Sequence, residues 1–321
     1  MARPPTRSLR QIRIPPPRAT NRSFSKHRPN PSFQPPLHRS RIPPRNQLSA
    51  HPSPPIPRLS PNQPLTLPSV HGNAGTVAQG WRTDTYRSLT HASSSPSIHL
   101  LTADYRGFGH STGTPTEAGL ITDGIALVTW ALTVARIPAS RIVLVGQSLG
   151  TAVATAVAEH FALAERVEFA GLVLVAAFED VPSLMLTYAI GGVVPILSPL
   201  RPYPVLQQFF QRHIQEKWYT GARLERFIRS SRKVNLQLVH ARNDFDIPYR
   251  HSEMLFRRAA NATSEEGLTT KEIDGGKMTR ELGEGGWVWE WDVGGTKKIR
   301  LEVVRYGGEY PGYHLLPPQP P

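Results

Sequence analysis

The sequence contains no cysteine. Disulfide bonds, thiolate metal sites and cysteine nucleophiles are therefore excluded together. Acidic residues are missing from residues 1–70, which hold twelve of the 37 Lys and Arg side chains. The other 251 residues of this 321-residue chain carry 25 basic and 24 acidic side chains, a net charge of +1. The overall charge of +13 thus belongs to the N-terminal segment, and a basic fold that grips nucleic-acid phosphates is largely excluded.

Proline is concentrated at the N-terminus, where residues 1–70 hold 18 of the 32 prolines. Proline fixes φ and lacks a backbone N–H, so neither a helix nor an inner strand continues through such a segment. We therefore predict a disordered Pro/Arg-rich tail over residues 1–70, one domain over residues 71–310, and a second Pro-rich tail over residues 311–321. No run of eighteen apolar residues lacks a breaking residue, so no membrane-spanning helix is predicted.

The N-terminal tail has two further interpretations. Pro/Arg-rich segments dock into SH3-like grooves or bind anionic surfaces, so the tail indicates an interaction partner whatever the domain does. An acid-free N-terminus with Arg and Ser is also typical of organelle transit peptides, although the prolines oppose the amphipathic helix that these need. The sequence leaves the compartment open.

The rest of the chain alternates between short apolar runs and helical stretches. Runs rich in β-branched residues predict strands, and apolar residues at every third or fourth position predict helices. Near-continuous hydrophobic strands separated by helices are typical of a parallel sheet covered on both faces, so we predict an α/β fold. The predicted strands are 98–103, 141–145, 169–175 and 236–239, and the predicted helices are 120–135 and 151–164.

Residues 184–200 interrupt this alternation because they are almost wholly apolar and are broken by glycine and proline. They form either a buried helix pair or an apolar cap over an acyl pocket. We prefer the cap, within an insertion of about residues 181–230, and such a cap also predicts peripheral membrane contact.

Trp287, Trp289 and Trp291 fall on one side of a period-two run, which a glycine pair separates from residues 299–306. The pattern predicts a β-hairpin that feeds the last strand. We interpret the three tryptophans as packing residues rather than as a ligand platform.

Residues 146–150 read Gly-Gln-Ser-Leu-Gly, between the predicted strand 141–145 and the predicted helix from Thr151. Between a strand and a helix, a G-x-S-x-G match indicates a nucleophile turn. Ser148 then lies on a turn so sharp that its neighbours two positions away cannot carry side chains. The Leu149 amide lies at a helix N-terminus, where it can stabilise an oxyanion. We predict that Ser148 is a nucleophile; the alternative is a tight glycine turn without chemistry.

An orienting acid is predicted just after the fourth strand. The chain order of such sites is Ser, then Asp or Glu, then His, and a carboxylate just past a strand end lies on the same edge as the nucleophile. We prefer Asp244, which comes first after the strand. Asp246 is the competing candidate, and two solvated loop acids are the third interpretation.

Two histidines follow Asp244 and are candidates for the base. We interpret His251, at the start of a predicted helix, as a surface or capping residue. His314 lies beyond the last strand, on the correct side of the sheet, and is the preferred base. Prolines follow it, so no helix fixes its position.

A second oxyanion donor is predicted in residues 71–75, His-Gly-Asn-Ala-Gly, which would follow an earlier strand. Because the residues are small, their backbone amides can point at a substrate oxygen, and the Asn73 amide is the first candidate. A plain turn has the same composition, so this motif is weak on its own.

Together these motifs resemble the α/β-hydrolase superfamily, and they are most similar to fungal relatives of the α/β-hydrolase-domain monoacylglycerol and lysophosphatidylserine lipases. The resemblance covers about residues 71–310. It implies Ser148 as nucleophile, Asp244 as the triad acid, and Asn73 and Leu149 as oxyanion amides. It also implies carboxylic esters, often of lipids, as substrates, with no metal or cofactor. The motifs are residues 71–75, 104–111, 146–150 and 240–248.

Two departures from this family stand out. Members have a hydrophobic strand that leads straight into residues 71–75, which we call the HG turn after His71 and Gly72. Here residues 65–70 are short and contain Pro68, which breaks an inner ladder. We therefore predict that the first strands are missing or degraded. Many members also place the catalytic histidine directly after a glycine pair at the end of the last strand, and this chain has Glu309 there.

The sequence thus predicts a serine hydrolase that cleaves lipid-type acyl esters through Ser148, Asp244 and His314 and an acyl-enzyme, with no nucleic-acid partner. The alternative is a protein of the same fold without a working histidine, because the loss of one triad member removes several powers of ten in rate.

Overall fold

The structure is a computed structural model. It describes residues 65–72, 75–79, 81–91, 98–187, 189–190, 194–195 and 203–307. Most of the predicted N-terminal tail and all of the predicted C-terminal tail lie outside these residues. Residues 65–70, which the tail prediction included, form a strand, so that boundary was wrong.

Eight strands form one sheet in the order β2-β1-β3-β4-β7-β10-β9-β8. The first six in that order run parallel, and β9 and β8 are antiparallel. Two short strands, β5 and β6, pair separately. The strands are Leu65–Val70 (β1), Ile98–Leu101 (β2), Val143–Gln147 (β3), Gly171–Val175 (β4), Ala189–Ile190 (β5), Val194–Pro195 (β6), Val234–Ala241 (β7), Met278–Gly283 (β8), Gly286–Val293 (β9) and Lys297–Val304 (β10).

Helices connect most of the parallel strands, so the predicted α/β fold with a mostly parallel sheet is confirmed. Within the described ranges, no helix has both the length and the apolar composition needed to cross a membrane. The helices are Trp81–His91 (α1), Glu117–Thr133 (α2), Leu149–His160 (α3), Val181–Met185 (α4), Pro204–His213 (α5), Thr220–Ser230 (α6), Arg250–Asn261 (α7) and Thr270–Gly276 (α8).

Alternate residues of the central strands are almost completely buried, because successive strand side chains point to opposite faces. Leu172 and Leu174 of β4 and Leu236 and Leu238 of β7 are each at most 2% exposed. Each buried leucine contributes about 2 kcal/mol. This apolar layer fixes the strands whose ends carry the polar residues described below.

Strand β1 occupies the position beside β3 where the sequence predicted a missing or degraded strand. It pairs continuously with β2. On its other side, Thr66 pairs with Ile142 just before β3, and Ser69 and Val70 pair with β3 itself. The pairing with β3 is interrupted at Leu67 and Pro68. Both interrupted pairs require an N–H on residue 68, which proline lacks. Of the two predicted states, missing or degraded, β1 therefore shows the second, because the strand is present and the expected break in its ladder is local.

The predicted hairpin is confirmed, since β9 and β10 pair around a turn at residues 294–296. The tryptophans of β9 pack as predicted. The Trp287 ring lies edge-on to Tyr249, and the Trp289 ring lies 5.6 Å from Phe256 of α7. Strand β8, which extends this hairpin to the sheet edge, was not predicted.

The insertion after β4 contains α4, β5, β6 and α5, and it leads into α6. Helix α6 packs against α3, because Leu224 and Ile228 are fully buried and Arg223 and Arg226 both pair with Glu159 of α3. Helix α6 is thus one of the helices that flank the sheet. The segment that stays a candidate cap is residues 181–219.

Candidate active site

Ser148 lies on the sharp turn between β3 and α3, with φ 52° and ψ −123°. A non-glycine residue in this region of φ and ψ is strained by about 1–3 kcal/mol and persists only where its surroundings impose it. Here the close approach of neighbouring backbone imposes it, and two glycines make that approach possible. A Cβ on Gly146 would overlap the Gly150 carbonyl, and a Cβ on Gly150 would overlap the Val70 carbonyl. The prediction that positions 146 and 150 cannot carry side chains is therefore confirmed.

Hydrogen bonds fix both sides of Ser148. Its amide donates to the Val175 carbonyl at the end of β4, at 2.9 Å. Its carbonyl accepts from the Thr151 amide at 2.8 Å and from the Thr151 hydroxyl at 2.6 Å. Leu149 is the first residue of α3, so its amide belongs to the first turn, where N–H groups have no intrahelical acceptor. The turn therefore presents a hydroxyl beside a helix N-terminus.

The HG turn is in direct contact with this turn, because β1 lies next to β3 and Gly150 abuts the Val70 carbonyl. Asn73, the predicted oxyanion residue, lies outside the described residues. His71 is 3% exposed, and burial lowers the pKa of its imidazole, so the ring is neutral at neutral pH. This neutral ring lies 4.4 Å from the Tyr105 ring.

Three side chains that sequence reasoning missed hold the residues around Asn73. The Arg82 guanidinium is buried and donates to the Thr76 carbonyl at 2.8 Å and to the Gly72 carbonyl at 3.4 Å. The Tyr105 hydroxyl donates to the His71 carbonyl at 3.1 Å, and Asp104 accepts from the Val77 amide at 2.7 Å. Tyr105 and Asp104 belong to the motif at residues 104–111, whereas no sequence pattern marked Arg82.

Asp244 organises the turn after β7, which spans residues 244–247 and is called the acid turn below. Its Oδ1 accepts from the amides of Asp246 and Ile247 at 3.0 and 2.9 Å. Asp244 and Asp246 are 8% and 7% exposed, so neither is a solvated loop acid. Asp244 is the carboxylate around which the turn closes, and Asp246 contributes a backbone donor to it.

His240 lies on β7 immediately before this turn and is fully buried. Its Nε2 lies 2.7 Å from the Ile247 carbonyl and 3.7 Å from Asp244 Oδ2, and its Nδ1 lies 2.7 Å from Ser252 Oγ. Burial lowers the pKa of His240 to about 4, so the ring is neutral at neutral pH. Sequence reasoning assigned His240 no role.

His251 is 3% exposed, so its interpretation as a surface or capping residue was wrong. Its Nδ1 accepts from the Glu179 amide at 3.5 Å, and its Nε2 lies 3.2 Å from Thr187 Oγ1. Burial lowers the pKa of His251 to about 4. The structure therefore gives His251 a place in the packing between α7 and the start of the insertion.

His314, the preferred base, lies outside the described residues. The end of β10 is nevertheless fixed beside the acid turn, because the Arg242 amide donates to Val304 and the Gly307 amide donates to Asn243 Oδ1. Gly307, the last described residue before His314, thus lies next to the turn that contains Asp244.

The carboxyl ends of β1, β3, β7 and β10 all meet one edge of the sheet. That edge carries the HG turn, Ser148, the acid turn and Gly307 in this spatial order, with β4 between Ser148 and the acid turn. In open parallel sheets this edge is where ligands bind. Among the described residues, no cluster of three or more His, Asp or Glu side chains has the arrangement of a metal site.

Comparison with known proteins gives a match to the model of the alpha/beta hydrolase family over residues 70–274. The matched span runs from the end of β1 into α8. It therefore includes Ser148, the HG turn and the acid turn.

Three curated relatives illustrate the similarity. Lysophosphatidylserine lipase ABHD12 of Rattus norvegicus is 31% identical over 206 residues, which are 64% of this chain and 48% of that protein. Protein ABHD12B of Homo sapiens is 32% identical over 196 residues, 60% of this chain and 49% of that protein. Protein YfhR of Escherichia coli O157:H7 is 27% identical over 198 residues, 62% of this chain and 59% of that protein. The chain thus spans about half the length of these relatives.

Among solved structures, an alpha-beta hydrolase from Vibrio vulnificus matches with a TM-score of 0.49 and 16% identity, over 60% of this chain and 62% of that chain. The esterase Pf2001 of Pyrococcus furiosus matches with a TM-score of 0.42 and 17% identity, over 63% and 69% of the two chains.

Proposed function

The chain belongs to the alpha/beta hydrolase family, and from that premise we propose that it hydrolyses carboxylic esters with Ser148 as its nucleophile. One observation carries the proposal. Ser148 is held at positive φ on a turn where both flanking glycines are sterically required, beside the first amide of α3. A strained serine between two such glycines, at the N-terminus of a helix, is the arrangement that holds the hydroxyl of a nucleophile in place for catalysis.

In the proposed reaction, the Ser148 hydroxyl attacks the ester carbonyl while a histidine removes its proton. His314 is the proposed base, and Asp244 orients it and stabilises its cationic form. The amides of Leu149 and Asn73 donate hydrogen bonds to the oxyanion of the tetrahedral intermediate. The histidine then protonates the leaving alcohol, and water hydrolyses the acyl-enzyme to the carboxylic acid.

Lipid-type acyl esters are the proposed substrates. One of the relatives above, ABHD12 of Rattus norvegicus, is named as a lysophosphatidylserine lipase. The candidate cap supports the same substrate class, because residues 181–215 contain no acidic residue and are mainly apolar. A long acyl chain is bound by an apolar surface of this kind.

Peripheral contact with a membrane is also proposed, through α5. Leu206, Phe209 and Phe210 lie at helical spacing and are 41%, 54% and 44% exposed. Tyr203, just before α5, is 63% exposed. Exposed aromatic and aliphatic side chains on one helix face are typical of helices that lie at a lipid–water interface.

Replacement of Ser148 tests the proposed function. With p-nitrophenyl butyrate as substrate, Ser148→Ala should lower kcat by more than about a thousandfold. Ser231→Ala is the matched control, because Ser231 is equally buried and its hydroxyl bonds only the Phe227 carbonyl of α6. Hydrolysis that persists in folded Ser148→Ala would contradict the proposal, and an inactive wild-type protein would favour the non-catalytic alternative.

Replacement of each of the two histidines that follow Asp244 tests which of them is the catalytic base. His314→Ala should remove hydrolysis, because the base is lost. His251→Gln should leave kcat close to the wild-type value, because His251 is committed to Glu179 and Thr187. Unchanged hydrolysis in His314→Ala would exclude it as the base.

A further inference from the structure

His240 is enclosed beside the acid turn, and the proposed reaction does not use it. It is the second-last residue of β7, and none of its surface is exposed. Both ring nitrogens have partners at 2.7 Å, the Ile247 carbonyl at Nε2 and the Ser252 hydroxyl at Nδ1. These are short hydrogen bonds for a neutral ring.

The partners determine the tautomer of His240. A carbonyl oxygen only accepts, so the ring proton is on Nε2 and is donated to Ile247. Nδ1 of the neutral ring then has a lone pair, and the Ser252 hydroxyl donates to it at 2.7 Å rather than to the Ala177 carbonyl, which lies 3.5 Å from the same oxygen. Ser252 is itself fully buried on α7. The ring is thus held in one orientation and one tautomer by a helix on one side and the acid turn on the other.

Ile247 connects this ring to the carboxylate. Its carbonyl accepts from His240 Nε2, while its amide donates to Asp244 Oδ1 at 2.9 Å. The same Nε2 lies 3.7 Å from Asp244 Oδ2. A shift of the ring would therefore move Ile247, and with it the hydrogen bond that sets the plane of the Asp244 carboxylate.

We propose that His240 and Ser252 are positioning residues that fix the orientation of the Asp244 carboxylate toward the catalytic base. The inference rests on the proposed function, since it requires Asp244 to act on that base. Neither residue touches the substrate. A misplacement of about 1 Å in catalytic geometry lowers rates by about a hundredfold, so a loosened acid turn should reduce kcat rather than substrate binding.

Single replacements test this role by the change in kcat and KM for p-nitrophenyl butyrate. Ser252→Ala removes the donor to Nδ1 and should lower kcat by about tenfold or more while KM changes by less than about twofold. His240→Leu should lower kcat further, and His240→Gln, which keeps an N–H donor near Ile247, should restore part of that loss. Ser231→Ala, which removes another buried serine hydroxyl, should leave kcat unchanged.

A double-replacement cycle separates positioning from a general structural role. If Ser252 acts through Asp244, Ser252→Ala should add little further loss to the Asp244→Asn protein. Independent, additive losses would overturn the inference, and so would wild-type kcat in folded Ser252→Ala. The cycle does not depend on whether His240→Leu folds.

The outcomes also distinguish this inference from the proposed function. Wild-type activity in Asp244→Asn would contradict Asp244 as the triad acid. Loss of activity in Asp244→Asn together with full kcat in Ser252→Ala and His240→Gln would overturn only the positioning role.

Discussion

The backbone conformation of Ser148 is the residue-scale feature on which the proposed function depends. A serine at φ 52° is disfavoured unless close backbone contacts hold it there. Here β1 and α3 approach so closely that only hydrogen fits at Gly150. The strain is therefore imposed by the close packing of β1 against α3, which the glycine at position 150 permits.

Gly150→Ala should consequently destabilise the fold. The new Cβ would overlap the Val70 carbonyl, which is backbone and cannot rotate away, so the free energy of unfolding should fall by about 2–3 kcal/mol. Gly275→Ala is the matched control, because a Cβ there meets nothing within 4 Å and Gly275 lies inside α8. It should raise the free energy of unfolding by about 0.5–1 kcal/mol. Urea unfolding of both variants measures this contrast, and equal midpoints would contradict it.

At the scale of the element, β1 explains how an inner strand tolerates proline. Pairing with β2 is continuous, and only the two pairs with β3 that need an N–H on Pro68 are missing. The interruption leaves the Val143 carbonyl without the donor that a regular ladder would supply. One missing donor costs about 1–3 kcal/mol, which a sheet of this size can sustain.

Pro68→Val should therefore stabilise the protein. Valine supplies the N–H, and the gain of about 1–2 kcal/mol should exceed the loss of about 0.4–1 kcal/mol that comes from a freer unfolded chain. Pro182→Ala serves as the control, because Pro182 lies in the first turn of α4, where an N–H has no intrahelical acceptor. A lower urea midpoint for Pro68→Val than for wild type would contradict this account of β1.

Helix α5 carries the prediction about membranes. In sedimentation with phosphatidylcholine vesicles that contain phosphatidylserine, the Ser148→Ala protein should bind, and the further changes Phe209→Ser and Phe210→Ser should weaken binding by about tenfold. Trp130→Ser with Val134→Ser provides the control, because these residues are 48% and 55% exposed at the end of α2. Equal binding by both double variants would exclude α5 as the contact.

At the scale of the whole molecule, buried neutral histidines link stability to pH. The pKa values of His240 and His251 are about 4 in the fold and near 6.5 in an unfolded chain. The unfolded state thus takes up protons first as pH falls. The contribution of the two neutral histidines to the free energy of unfolding is fully present above about pH 6.5. It declines toward pH 4, by at most about 3 kcal/mol for each histidine.

His251→Gln isolates the contribution of His251 to this pH dependence. Relative to wild type, its free energy of unfolding should depend less on pH between 6.5 and 4, by up to about 1.4 kcal/mol per pH unit, and equally above pH 7. Urea titrations at several pH values measure the difference. Parallel curves across the whole range would show that His251 is not the group responsible.

Sequence patterns were sufficient for the fold class, the hairpin with its packed tryptophans, and the strand–turn–helix around Ser148. These features depend on local periodicity and on glycine spacing, which the sequence displays directly. The missed features depend on contacts between distant segments. Arg82 reaches back to the HG turn, His240 joins α7 to the acid turn, and β1 gains its pairing from β2 and β3. No local pattern marks such contacts.

The most direct test of the central claim is the site of covalent labelling by a fluorophosphonate. Treatment of the full chain, followed by protease digestion and mass spectrometry, should place one phosphonyl group on Ser148. Ser231→Ala should label at the wild-type rate and Ser148→Ala should not label. A phosphonyl group on another residue, or equal labelling of Ser148→Ala, would contradict the assignment of Ser148 as the nucleophile.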